Sequence, residues 1–162
     1  MPFIHLTTFI QAPAKRVFDL SRSIDFHTES MQESKETAVD GVTTGLINLD
    51  ETVTWQAKHL FKTRTLVSRI TAMKPYQFFE DTMVSGDFKS LRHEHHFKQV
   101  LNGTIMIDLF YFEVPFGMIG RCFNVIFLEG YMKKLLIKRN EHLRQSAENH
   151  TWKKYLPEHT SP

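Results

Sequence analysis

The sequence predicts a single α+β domain, built as a curved antiparallel sheet of six to seven strands covered by one long C-terminal helix. Three observations carry this. Apolar and polar residues alternate with period two from Glu51 to Val114, broken by turn signals. A helical pattern without an internal proline then runs from about Ile119 to Glu148. The chain has 162 residues, enough for one domain with a sizeable core. An open antiparallel sheet has one face to bury, and the last helix is the only element large enough to cover it.

"FIHLTTFI", residues 3–10, mixes apolar and β-branched types and reads as the first strand. Pro13 suits a first helical turn, and two short helices follow over about 14–20 and 24–30. "VDGVTTGLINLDE" holds two glycines and reads as a loop with a short strand at most. In "ETVTWQAKHLFKT" the set Val53, Trp55, Ala57, His59 and Phe61 shares one face. "RTLVSRITAM" and "FFEDTMVSG" are the next strands, separated by Lys74-Pro75-Tyr76. Asn102-Gly103 is the strongest hairpin signal, since a type I′ turn needs positive φ at both central residues. Pro115 closes the return strand "TIMIDLFYFEV". The domain spans 1–150, and residues 151–162 read as a loose tail.

Composition excludes several classes. Hydrophobic residues make up 41% and charged residues 23%, which suits a folded soluble protein. A net charge of +2 is too mild for a nucleic-acid binder. No apolar run of membrane-spanning length exists, so no stable membrane insertion is expected, and the N-terminus does not read as a signal peptide. The lone Cys122 forms no intrachain disulfide and fits a cytoplasmic location.

The stretch "RHEHHFKQVLNG" places three histidines and a glutamate within four residues. The pleat divides them. Leu91, His93, His95 and Phe97 face the core, and Arg92, Glu94, His96 and Lys98 face solvent. With Asn102-Gly103 as a two-residue loop, Phe97 lies opposite Asp108, His95 opposite Phe110 and His93 opposite Phe112. The inward set of the return strand is then Met106, Asp108, Phe110 and Phe112. Phe79, Asp81 and Met83 face inward from an earlier strand, as do Trp55 and His59, with His27 at the mouth. Leu91 apart, these thirteen residues describe an apolar pocket with sparse ionisable groups, the usual form of a small-molecule site. Asp81 and Asp108 need histidine, arginine or backbone N–H partners there. His-x-His is a metal-ligand spacing, but no second ligand motif accompanies it, so neither metal nor cofactor is expected.

The segments "SRSIDFHTESM", "GLINLDETVTWQAKHL", "SGDFKSLRHEHHF" and "GTIMIDLFYFEVPFGMIG" resemble the START-like (SRPBCC) superfamily. Within it the likeness is to bacterial ligand-binding SRPBCC domain proteins akin to polyketide cyclase/dehydrase-like sequences. The resemblance covers most of residues 15–121 and implies the helix-grip fold, with a hydrophobic tunnel between the sheet and the last helix. The expected function is binding of a hydrophobic or amphipathic small molecule in that tunnel. Two alternatives stand beside it. One is an enzyme of cyclase or dehydratase type, moving protons with a His–Asp pair. The other is a non-catalytic accessory domain. Ile105, Ile107, Leu109 and Tyr111 depart from the family pattern, because an outward face there is expected to be polar. Such a patch points to a homodimer through the outer face of this hairpin.

Overall fold

The computed structural model describes residues 2–115 and 122–157, with backbone alone at 122–124. Strand β1 (Phe3–Ile10) leads into helices α1 (Ala14–Ser21) and α2 (Ile24–Ser30). Strands β2 (Thr37–Gly41), β3 (Thr52–His59), β4 (Lys62–Lys74), β5 (Phe78–Ser85), β6 (Ser90–Val100) and β7 (Gly103–Glu113) follow. Helix α3 (Cys122–Glu148) closes the domain, and a 3-10 turn covers His150–Lys154. The expected helix start at Ile119 lies outside the described residues. All seven strands pair antiparallel in one sheet, in the order β1-β7-β6-β5-β4-β3-β2. No helix among the described residues is long and apolar enough to cross a membrane.

Local chemistry explains the early helices. Pro13 enters α1 without needing a hydrogen-bond partner for its nitrogen, and Ser23 caps α2 by accepting from the Phe26 N–H. Val17, Phe18 and Leu20 are buried from α1, where Phe18 meets Phe79 and Phe97 edge-on.

Two turns differ from expectation. The β6–β7 loop is Leu101-Asn102, not Asn102-Gly103, because Val100 pairs with Gly103. Neither loop residue has positive φ. Gly103 is needed for a different reason: a Cβ there would stand 2.2 Å from the Ile10 carbonyl oxygen. The β3–β4 turn is Leu60-Phe61, with both residues left-handed at φ 51° and 66°. That conformation costs a bulky residue about 1–2 kcal/mol. Phe61 therefore leaves the β3 pattern and stands 98% exposed, contrary to its expected inward direction.

The loop shift moves the hairpin register by two residues. His93 pairs with Phe110, His95 with Asp108 and Phe97 with Met106. The expected pairing Phe97–Asp108 is thus corrected, along with the two beside it. The expected faces survive, because a shift of two preserves the alternation of the pleat.

The described part of the tail, residues 151–157, is not loose. Trp152 and Leu156 are buried in the main core cluster, and the Arg16 guanidinium lies over the Trp152 ring. Tyr155 packs edge-on against Phe26, so this segment seals the α2 side rather than the outer hairpin face.

The inner face carries two apolar clusters. One gathers Ile10, Phe18, Phe79, Phe97 and Met106. The other gathers Ile4, Leu91, Phe110, Phe112 and Leu136. Along β5, β6 and β7 a polar band separates them: Asp81, then His95 and His93, then Asp108.

Candidate functional site

The polar band is joined across three strands and α3. Asp108 is fully buried, and its Oδ1 accepts from His93 Nε2 at 2.9 Å. Its Oδ2 accepts from Asn140 Nδ2 at 2.7 Å. His95 Nε2 lies 3.1 Å from Asp81 Oδ2. His95 Nδ1 lies 3.1 Å from Asp108 Oδ1, an ion-pair contact that is poorly directed as a hydrogen bond. The two imidazoles overlap with centroids 3.7 Å apart. Arg139 extends the band, donating to Asn140 Oδ1 at 3.3 Å and to the Ser21 carbonyl at 3.1 Å.

The electrostatics follow from this geometry. Burial pushes Asp108 upward, but the hydrogen bonds and charges of His93 and His95 outweigh it and hold the carboxyl well below its ordinary value. Asp81 is held down in the same way by His95 and His93. The histidines diverge. Burial and the neighbouring His95 charge lower His93. His95 is also penalised by burial, yet two carboxylates raise it. The two carboxylates thus favour the charged form of His95, while burial and the His95 charge favour the neutral form of His93.

The band borders a cavity of about 270 Å³ between the sheet, α2 and α3. Trp55, Leu66, Ile70, Phe79, Phe110 and Leu136 supply much of its apolar wall. A second polar group stands on the α2 side. His27 Nε2 bonds Glu36 Oε1 at 2.9 Å, and His59 Nδ1 bonds the Tyr131 hydroxyl at 2.9 Å. Burial pushes Glu36 up, but the His27 charge and hydrogen bond bring it below its ordinary value. Burial lowers His59.

Of the thirteen residues singled out in the sequence, His27, Trp55, His59, Phe79, Asp81, His93, His95 and Phe110 border this cavity. The other five do not. Phe97 and Met106 are core, Phe112 packs against Phe88, and Met83 contributes to the second cluster's edge. Asp108 stands behind the histidines and orients them. Sequence reasoning missed Arg139, Asn140, Glu36 and Tyr131. Arg139 follows Lys133, Lys134 and Lys138 in a charged run, yet it is 4% exposed. Helical spacing could have found it: Leu136, Arg139, Asn140, Leu143 and Ala147 share the buried face of α3.

Asp81, His93 and His95 offer three donor atoms within 4.8 Å of one another, a set of metal-binding type. In the present geometry His95 Nε2 is paired with Asp81 and His93 Nε2 with Asp108. A cation there would have to displace the His95 proton.

A seven-stranded antiparallel sheet closed by a long C-terminal helix, with a cavity between them, defines the helix-grip class of the START-like superfamily. Residues 10–128 match the model of the family described as polyketide cyclase / dehydrase and lipid transport, and the chain belongs to that family. Solved structures share the fold. The Zhui aromatase/cyclase from Streptomyces sp. R1128 superposes with a TM-score of 0.74 at 11% identity, covering 92% of this chain and 94% of that one. TTHA0849 from Thermus thermophilus gives 0.68 at 16% identity, covering 90% and 99%. The ginseng major latex-like protein 151 from Panax ginseng gives 0.65 at 11% identity, covering 91% and 97%. No curated protein matches the chain at the sequence level.

Proposed function

We propose that the protein binds a hydrophobic or amphipathic small molecule in the cavity between the sheet and α3. One observation carries the reading: a largely apolar cavity of about 270 Å³ is bordered by a linked polar band instead of being filled by side chains. Cores are close-packed by default, so such a space within one domain favours an occupant. The apolar wall would hold the body of the ligand, and the band would orient a polar end. The likeness to a family described by cyclases and lipid transport supports the same reading. We place the protein in the cytoplasm, where its single thiol is compatible with the reducing environment. Native mass spectrometry of protein purified without detergent is expected to show a non-covalent small-molecule adduct. An adduct-free protein that also fails to take up a neutral dye such as Nile red would refute the reading.

A second reading, proton transfer of cyclase or dehydratase type, is favoured by the opposite directions of His93 and His95. Two imidazoles with centroids 3.7 Å apart, one favouring its neutral form and the other its charged form, are suited to act as base and acid. A bell-shaped rate profile on a poly-β-keto thioester analogue, flattened in His95→Gln, would support it. Absence of turnover with such analogues at any pH would refute it.

A further inference from the structure

We infer that the ligand carries an anionic head of the carboxylate class, seated against the Arg139 guanidinium; this deepens the cavity-binding reading and rests on it. Arg139 borders the cavity and is 4% exposed. A guanidinium has five N–H donors. Arg139 directs one to the Ser21 carbonyl and one to the Asn140 side-chain oxygen, both neutral acceptors. Among the described residues no carboxylate forms an ion pair with it.

The acids on the cavity wall are engaged elsewhere. Asp81 is taken by His95, Glu36 by His27 and Asp87 by Arg64. Asp108, behind the wall, is taken by both histidines and Asn140. Arg139 influences Asp81 and Glu36 only through space, as the weakest of the groups that hold them down. A buried cation with unused donors and no contacting counterion is costly, and a carboxylate matches its planar fork in a bidentate way.

The surroundings fit that head. Ser21 lines the same part of the cavity, and its hydroxyl has only a weak contact, 3.8 Å to Met106 Sδ. Asp81 and Asp108 are already engaged by His95, His93 and Asn140, which limits their repulsion of an anion. The apolar wall of Trp55, Ile70, Phe79 and Phe110 then takes the body of the molecule. An amphipathic acid satisfies both parts, whereas an alcohol leaves the guanidinium charge unmatched and a quaternary amine opposes it.

The test is competition against bound Nile red by three probes with the same alkyl chain: decanoate, 1-decanol and decyltrimethylammonium. Decanoate is expected to bind the wild type about tenfold or more tightly than decanol, and the ammonium most weakly. Arg139→Gln is expected to remove the preference for decanoate while leaving decanol unchanged, and Arg139→Lys to restore part of it. The wild-type ranking stands alone if the variants do not fold. Equal affinities for decanoate and decanol, or a preference for the ammonium, would overturn the inference and leave cavity binding intact. Failure of all three probes and of the dye would instead overturn the cavity-binding reading, and this inference with it.

Discussion

Asp108→Asn tests the polar band where it is most exacting. The carboxylate is fully buried and meets His93, His95 and Asn140 at 2.9, 3.1 and 2.7 Å. The amide is isosteric, so packing is kept and only charge and donor pattern change. If its oxygen accepts from Asn140, its NH₂ group faces the two histidines. His93 can respond by changing tautomer, but His95 loses one of the two carboxylates that favour its charged form. Breaking a buried charged contact costs about 3–5 kcal/mol, and the His93 response places the expected loss at about 3 kcal/mol. With an m-value of about 2 kcal/mol/M, the urea midpoint falls by about 1.5 M. The pH dependence has a definite sign. Asp108 is held below its ordinary value, so its contribution is present above about pH 4 and lost as pH falls through the folded value. His95 is raised, so its contribution is complete below about pH 6.5 and is lost as pH rises through the folded value. The gap between wild type and variant is therefore widest between about pH 4 and 6.5. Asp87→Asn, which removes a half-exposed partner of Arg64, is the control and should cost under about 1 kcal/mol. Matching midpoints for the two variants, or a gap that widens above pH 7, would refute the account of the band.

Three other outcomes are expected. Phe110→Asp places an unpaired charge on the cavity wall and should abolish Nile red binding while lowering stability by about 3 kcal/mol or more; unchanged dye affinity in a folded variant would remove this face from the site. Diethyl pyrocarbonate should modify His96, whose side chain is 40% exposed, before His93 and His95, at 8% and 4%; equal rates would contradict the face assignment. We propose that the outer face of β1 and β7 self-associates. Phe3 stacks on Tyr111 there at 4.8 Å, and Phe9 is exposed in the same row. Sedimentation should show concentration-dependent dimer in wild type and monomer in Ile107→Lys; monomer in both would rule the interface out.

That outer face also shows what the sequence could and could not convey. Ile105, Ile107, Leu109 and Tyr111 do alternate with the buried set, but they are half-buried rather than open. Their neighbours across β6 are Lys98, His96, Glu94 and Arg92, one pair along from the expected ones. On the other side Phe9, Thr7, His5 and Phe3 of β1 flank them. Pairing between the first and last strands joins segments far apart in sequence and has no local signature, so period-two reading alone cannot supply it.

The site divides along the same line. Its strand members were legible because alternation fixes a face regardless of register, and the two-residue slip at Leu101-Asn102 left His93, His95 and Asp108 pointing inward. What alternation cannot give is depth. Asp108 and Phe110 share a face, yet one stands behind the histidines and the other borders the cavity, because α3 decides which inward positions are covered. The buried stripe of α3 was the least legible part. Arg139 and Asn140 follow Lys133, Lys134 and Lys138, so a glance at composition reads a uniformly charged, solvated end. Spacing separates them: Lys133, Lys134 and Lys138 are exposed, while the pair falls in line with Leu136, Leu143 and Ala147. Two polar residues on a buried helical stripe must meet polar partners, and the acids within reach were those already assigned to the inner face of the sheet. The contact between Asn140 and Asp108 is the consequence, and it ties the sheet's polar band to the helix that closes the cavity over it.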